Sequence, residues 1–224
     1  MTANSPGFKE ALKAIAFNEG ISLFGVADIT GIKDTFLLDE HISAKTDKAV
    51  SIGYNLSALA LETVADAPTQ IYYFHYQRAN ILLDNVALKL AAFVQRNGFN
   101  ALPVPASQLL DWEKQLGLLS HREVARLAGH GWYGKNNLLV NERYGSQVRY
   151  ATILTDMPLE TDSENKGSCG TCGACIGVCP AKAIGENSFN LEACALKLKE
   201  FTKIQKIGQM ICGVCVKACH GKKP

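Results

Sequence analysis

Residues 169–180 read CGTCGACIGVCP and residues 212–219 read CGVCVKAC. In the first stretch Cys169, Cys172, Cys175 and Cys179 follow at x2, x2 and x3 spacing, with Pro180 behind the fourth. In the second, Cys212, Cys215 and Cys219 repeat part of that spacing, and Cys194 precedes them. These are all 8 cysteines of the chain. A C-x2-C-x2-C-x3-C-P run wraps three thiolates around one face of a cubane cluster and sends the fourth to a neighbouring cluster. Two such runs interlock. The spacing therefore predicts two [4Fe–4S] clusters, one on Cys169, Cys172, Cys175 and Cys219, the other on Cys194, Cys212, Cys215 and Cys179. Gly170, Gly173, Ala174, Gly177 and Gly213 are small enough to let backbone amides approach the sulfurs. The second run departs from the pattern in one place, where His220 stands after Cys219 instead of proline.

Other uses of the same thiols fit less well. Zinc prefers separated cysteine pairs or mixed Cys/His ligation. Disulfides need an oxidising compartment, and Lys9, Glu10, Lys13 and Glu19 interrupt any apolar stretch that an export signal requires. No apolar run approaches the ~20 residues that span a bilayer. We therefore expect a cytoplasmic protein without a membrane partner. The chain has 224 residues, 47% of them hydrophobic, so a substantial core is available and wholesale disorder is excluded. A net charge of +2 gives no basic surface for nucleic acid.

The composition changes along the chain. Residues 1–158 carry no cysteine, and 162–168 (DSENKGS) form a polar connector. We expect an N-terminal domain over 1–158 and a cluster domain over 159–224. The latter is too small for a large core, so metal ligation must supply much of its folding energy. Lys217, Lys222 and Lys223 read as a solvated tail.

The N-terminal part reads as mixed helix and sheet. Ser5 and Pro6 start a helix that Gly20 stops. Residues 21–29 (ISLFGVADI) read as a strand. Leu82, Val86, Leu90 and Val94 give helical periodicity over 81–97, with Gly98 as its stop. Residues 99–104 form a short strand. Ser120 and Glu123 make a capping box for a helix ending at Gly129, and residues 147–155 alternate as a strand. The connections are too irregular for repeated βαβ units, so the sheet is antiparallel or mixed and the class is α+β.

Outside the cysteines, residues 128–136 (AGHGWYGKN) are the most informative. Three glycines followed by Lys135 and Asn136 describe a loop where backbone comes close to something, and such a loop can offer amides and an ammonium to phosphate or carboxamide groups. The P-loop and GxGxxG patterns do not match. The site residues expected here are Gly131, Trp132, Gly134, Lys135 and Asn136, with His130 and Tyr133 as proton-donor candidates. The aromatic stretch Tyr72 to Tyr76, with His75 inside it, reads as core. His121 reads as a solvent-facing helix residue, and Arg149 as a paired charge on its strand.

The run AGHGWYGKNNLLVNERYGSQVRYATILTD followed by CGTCGACIGVCPAKAI resembles the epoxyqueuosine reductase family. The resemblance is dense over 120–184 and thinner upstream through 21–29. It implies a nitroreductase-like α/β domain that binds cobalamin, followed by a bacterial-type two-cluster ferredoxin domain that relays electrons to cobalt. It also implies that Gly145 and Ser146 continue the cofactor wall. Family members carry an aspartate general acid ahead of the capped helix. Here ungapped counting finds Gln115, and a gap would bring Asp111 into place. The helical-repeat extension of the tRNA-modifying members does not follow the second cysteine run, so tRNA is not expected as a partner. The expected partners are a low-potential donor such as ferredoxin or flavodoxin and a small-molecule or protein acceptor. Three functions stay open: a corrinoid-dependent reductase, a non-catalytic electron carrier serving a partner protein, and a flavin (FMN) reductase on the same scaffold.

Overall fold

The computed structural model describes residues 6–107, 110 and 116–222. Helix makes up 39% and strand 17%, the mixed class expected. The chain forms two compact units, each discontinuous in sequence. One comprises residues 1–54, 80–130 and 149–165, and the other 55–79, 131–148 and 166–224. The expected division at residue 158/159 followed the thiols. Packing instead draws segments 55–79 and 131–148 together with the cysteine region.

The first unit is built on a four-stranded sheet of order β1-β2-β6-β3. Its strands are β1 (Leu23–Asp28), β2 (Lys48–Asn55), β3 (Ala101–Val104) and β6 (Val148–Thr155). β1 runs antiparallel to β2, with Leu23 opposite Gly53 and Asp28 opposite Lys48. β3 runs antiparallel to β6, with Ala101 opposite Thr155. Helices α1 (Pro6–Asn18), α4 (Gln70–Arg96) and α5 (His121–Leu127) contribute to its cores.

Successive strand residues point to opposite faces, and both faces of this sheet are covered. On one, Leu12 and Ala16 of α1 and Leu83, Val86, Leu90 and Val94 of α4 meet Val26, Val50, Ile52, Ala151 and Ile153. On the other, Val124 of α5 and Ala128 meet Ala27, Ala49, Val104 and Leu154. β2 is thus buried on both sides, which erases the alternation that marks a half-exposed strand.

The Ser120 half of the capping box is seen: Ser120 Oγ accepts from Glu123 N at 3.2 Å, while the Glu123 carboxylate accepts from Arg126, and Gly129 follows at φ +80°. The Ser5 cap lies outside the described residues. His121 is not a solvent-facing residue. Its Nε2 donates to the Pro105 carbonyl at 2.9 Å and its Nδ1 accepts from Thr152 Oγ1 at 2.8 Å. Arg149 donates to Asn80 Oδ1 at 3.1 Å and to the Ala106 carbonyl at 2.9 Å.

The second unit holds α3 (Ala58–Glu62), α4 up to Ala79, a short hairpin of β4 (Trp132–Tyr133) and β5 (Leu139–Val140), and the helices α6 (Ala174–Val178), α7 (Leu191–Ile204) and α8 (Val214–Lys217). Here α8 packs on α6 and α3. Of the aromatic stretch expected as core, only Tyr72 is buried, while Phe74 is 56% exposed. The residues form a helix, so they point around its axis rather than to one side. Among the described residues no helix is long and apolar enough to cross a membrane.

Candidate functional site

The cysteines differ in their electrostatic neighbours. Burial pushes the Cys175 thiol up, and the charges of Cys219, Cys169 and Cys172 add to that. Burial likewise pushes Cys215 up to about 12, with added charge from Cys212, Cys194, Cys179 and, last, Cys175. Cys212 rises to about 11 through burial, against a hydrogen bond from Val214, with Cys194 and Cys179 adding. Cys194 is raised by burial and then by Cys179. The neighbours of Cys175 are thiols of the first expected quartet, while those of Cys215 include thiols of both. Such thiols stay protonated near neutrality, so a metal must displace their protons.

Among the described residues no three His, Cys, Asp or Glu side chains are gathered tightly enough to hold a metal ion. The backbone already donates to sulfur: Ala183 N–H reaches Cys179 Sγ at 3.4 Å.

A cavity of about 640 Å³ opens onto the first quartet. Cys169, Cys172, Cys175 and Cys219 line it together with Trp132, Lys135, Asn136, His220 and Lys222. Three of the residues singled out in the glycine-rich stretch are therefore in the lining. The stretch itself is a hairpin rather than an open loop. Trp132 pairs with Val140 and Tyr133 with Leu139. Gly134 N donates to Leu138 O at 2.8 Å, and Asn137 turns the chain at φ +57°, a conformation that asparagine tolerates.

The glycines serve this hairpin. A Cβ on Gly131 would collide with the Val140 carbonyl, and one on Gly134 would meet the Val140 side chain. The backbone they bring close is that of the partner strand. Asn136 is buried and donates to Ser146 Oγ at 3.0 Å, so these two expected residues touch. Gly145 (φ +61°) lets the backbone run against the Cys219 carbonyl.

Trp132 is 5% exposed, and its Nε1–H finds no acceptor among the described residues. The Lys222 ammonium lies 5.5 Å over its ring. Lys217 Nζ donates to the carbonyls of Glu62 and Val64. These two lysines are therefore built into the unit and are not a loose tail. Lys222 and His220 are site residues that the spacing of the cysteines does not point to. Only their position directly after Cys219 was legible.

Two of the proton-donor candidates lie away from the cavity lining. His130 is buried, donates from Nε2 to the Ser51 carbonyl at 3.2 Å, and stacks on Tyr150. Burial lowers its pKa to about 4, against the Ser51 bond and the Asp162 charge. Tyr133 is 42% exposed. Asp111 and Gln115 lie outside the described residues.

Comparison with known proteins bears on this arrangement. No family model matches the chain. It is 40% identical over 79 residues to the epoxyqueuosine reductase of Listeria monocytogenes, covering 35% of this chain and 21% of that protein. To the enzyme of the same name from Leadbetterella byssophila it is 35% identical over 104 residues, covering 42% and 34%. For that of Bacillus anthracis the figures are 33% over 116 residues, 48% and 30%. The chain thus spans from a fifth to a third of the length of these curated relatives.

In fold it is similar to a reductive dehalogenase whose structure suggests a mechanism for B12-dependent dehalogenation, with a TM-score of 0.75 at 20% identity, over 94% of this chain and 31% of that one. It is similar also to epoxyqueuosine reductase from Bacillus subtilis, with a TM-score of 0.68 at 20% identity, over 98% and 66%. At that identity these two likenesses are of fold alone. Together with the curated relatives, they define a chain that is epoxyqueuosine reductase-like over part of its length.

Proposed function

We propose that this chain is an iron–sulfur oxidoreductase that passes single electrons through two [4Fe–4S] clusters to a corrinoid, for reduction of a substrate still to be identified. The observation that carries the reading is the cavity at the first quartet. It joins four thiols to an indole, an ammonium and a buried amide in one space of about 640 Å³. A cubane would take the thiols of Cys169, Cys172, Cys175 and Cys219. Trp132, whose N–H finds no acceptor among the described residues, Lys135 and Asn136 offer an apolar surface and polar donors to a second group beside it. A whole corrinoid is larger than this space, so its remainder would need residues beyond the cavity lining. When bound, a corrinoid supplies a strongly nucleophilic reduced cobalt. The chain's own part is to hold the cofactor's edge near the first quartet and to feed it electrons from a low-potential donor such as ferredoxin or flavodoxin.

The test is anaerobic reconstitution, with iron and sulfide counted before titration with cobalamin and, separately, FMN. About eight irons per chain and a base-off cobalamin spectrum support the reading. Four irons would leave the second quartet without a cluster. A second reading, an electron carrier for a partner protein, is favoured by the lining of the cavity, which among the described residues contains no Asp or Glu to act as proton donor. Two redox-active clusters with neither cofactor bound would decide for it. Bound FMN would decide for the flavin reductase.

A further inference from the structure

Lys135 stands at the tip of the hairpin turn, between Gly134 and the buried Asn136, and lines the same cavity as Cys169 and Cys172. Its side chain is largely enclosed while that of its ion-pair partner, Glu186, is largely exposed. The Glu186 bond holds the ammonium in its charged form, burial opposes this, and the charges of Glu186, Cys169 and Cys172 add to it. Lys222, above the Trp132 ring, brings a second cation to the same lining. The second quartet has a different setting. None of Cys179, Cys194, Cys212 and Cys215 lines the cavity that holds the two lysines.

This asymmetry has a redox consequence. Reduction adds one negative charge to a cluster, and a fixed cation beside it favours the reduced form. The exposed carboxylate of Glu186 faces water and is screened, so it offsets only part of the field of the more enclosed ammonium.

We propose that Lys135 sets the reduction potential of the cluster on Cys169, Cys172, Cys175 and Cys219 above that of its neighbour. This makes the first quartet the accepting end of the relay. It rests on the two-cluster reading above. One electron, drawn from a low-potential one-electron donor, passes from the second quartet to the first. No bond forms or breaks and no proton moves. Lys135 is a tuning residue that acts through the thiolates it neighbours, and Glu186 both anchors it and moderates its charge.

The experiment is a potentiometric titration of the reconstituted protein followed by electron paramagnetic resonance, with iron and sulfide counted for each variant. In the parent protein two one-electron steps are expected. K135M should move the higher step downward by about tenfold in the reduction equilibrium, ~59 mV for one electron, and leave the lower step in place. K135R, which keeps the charge, should restore most of the shift. E186Q should move the same step upward by a smaller amount, and added salt should shrink that difference.

The inference is overturned if neither step moves in K135M, if both move equally, if the lower step is the one that moves, or if K135R behaves like K135M. Should K135M not assemble clusters, E186Q decides alone, because its site is exposed and the unit does not depend on it for packing. An unmoved or lowered step in E186Q then overturns the inference. If the parent protein itself takes up no iron, the two-cluster reading fails first, and the metal count separates that failure from this one.

Discussion

The sheet unit and the cysteine unit solve the problem of staying folded in opposite ways. The first buries Leu12, Ile52, Leu83, Leu90, Ile153 and Leu154 completely, on both faces of its sheet. Each such side chain contributes about 1.5–3 kcal/mol on leaving water. The second exposes Leu59, Ile71, Phe74, Leu191, Leu196 and Ile204 and is tied by polar devices. Gln70 donates to the Gln205 carbonyl, Gln147 to that of Lys217, and Lys217 to those of Glu62 and Val64. Its eight thiols add charge repulsion, once ionised, until something cationic takes them up. On the proposed reading, one unit carries its folding energy in its own side chains and the other is completed by a metal.

The sharpest way to break that contrast is to withhold iron. With chelator present, the cysteine unit should lose amide-exchange protection over α6, α7 and α8, and the strands β1, β2 and β6 should keep theirs. Metal binding in small structural sites is worth on the order of 10 kcal/mol, far more than any single contact here. Hydrogen exchange read by mass spectrometry would show the difference segment by segment. Equal loss in both units would mean that the sheet depends on the clusters too.

A core truncation probes the contrast from the other side. Leu90→Ala removes a fully buried side chain of α4 and should cost about 2–5 kcal/mol. The loss should appear in the denaturation midpoint, with the iron content and cluster spectrum of the folded protein unchanged.

How much of this was legible in the chain follows the same division. The cysteine spacing is readable because it is a local property, and the quartets proposed from it await the iron count. The capped helix at Ser120 and the helix through Leu82, Val86, Leu90 and Val94 were readable because caps and periodicity are local too. β2 was not foreseen. Burial on both faces removes its alternation, and Ser51 and Gly53 within it resemble turn residues. The hairpin at residues 132–140 was read as a loop because its strands are two residues each and its glycines answer to Val140, a neighbour that only the fold supplies. Of the site, Trp132, Lys135 and Asn136 were found through the glycine-rich motif. That Lys222 joins the lining is decided by the fold, since the Trp132 ring beneath its ammonium is about ninety positions away in sequence.

The sheet unit also carries a pH liability. His130 is buried and neutral, with a pKa of about 4 against an ordinary 6.5. The unfolded chain therefore binds a proton that the folded chain refuses throughout that window. Stability is full above about pH 6.5 and falls progressively as pH drops toward 4, by roughly 3 kcal/mol for this one group. Chemical denaturation at pH 7.5, 6, 5 and 4 should trace the decline. His130→Asn, which cannot take up the proton, should remove this share of the decline, while His121, which burial also lowers to about 4, keeps its own.

The smallest expected effect tests whether the polar ties of the cysteine unit act locally. Lys217 Nζ donates to the Glu62 carbonyl at 3.1 Å and to the Val64 carbonyl at 2.6 Å, at the C-terminal end of α3, where carbonyls lack intrahelical donors. An ammonium there satisfies them and meets the negative end of the helix dipole, a contribution of about 0.3–1 kcal/mol. Lys217→Met keeps the stem and removes the charge. It should speed exchange of the α3 amides severalfold while the iron count stays that of the parent. If Lys217→Met instead lowers iron content as strongly as the loss of a cysteine, the tie supports the second cysteine run itself, through the α8 helix that Lys217 ends.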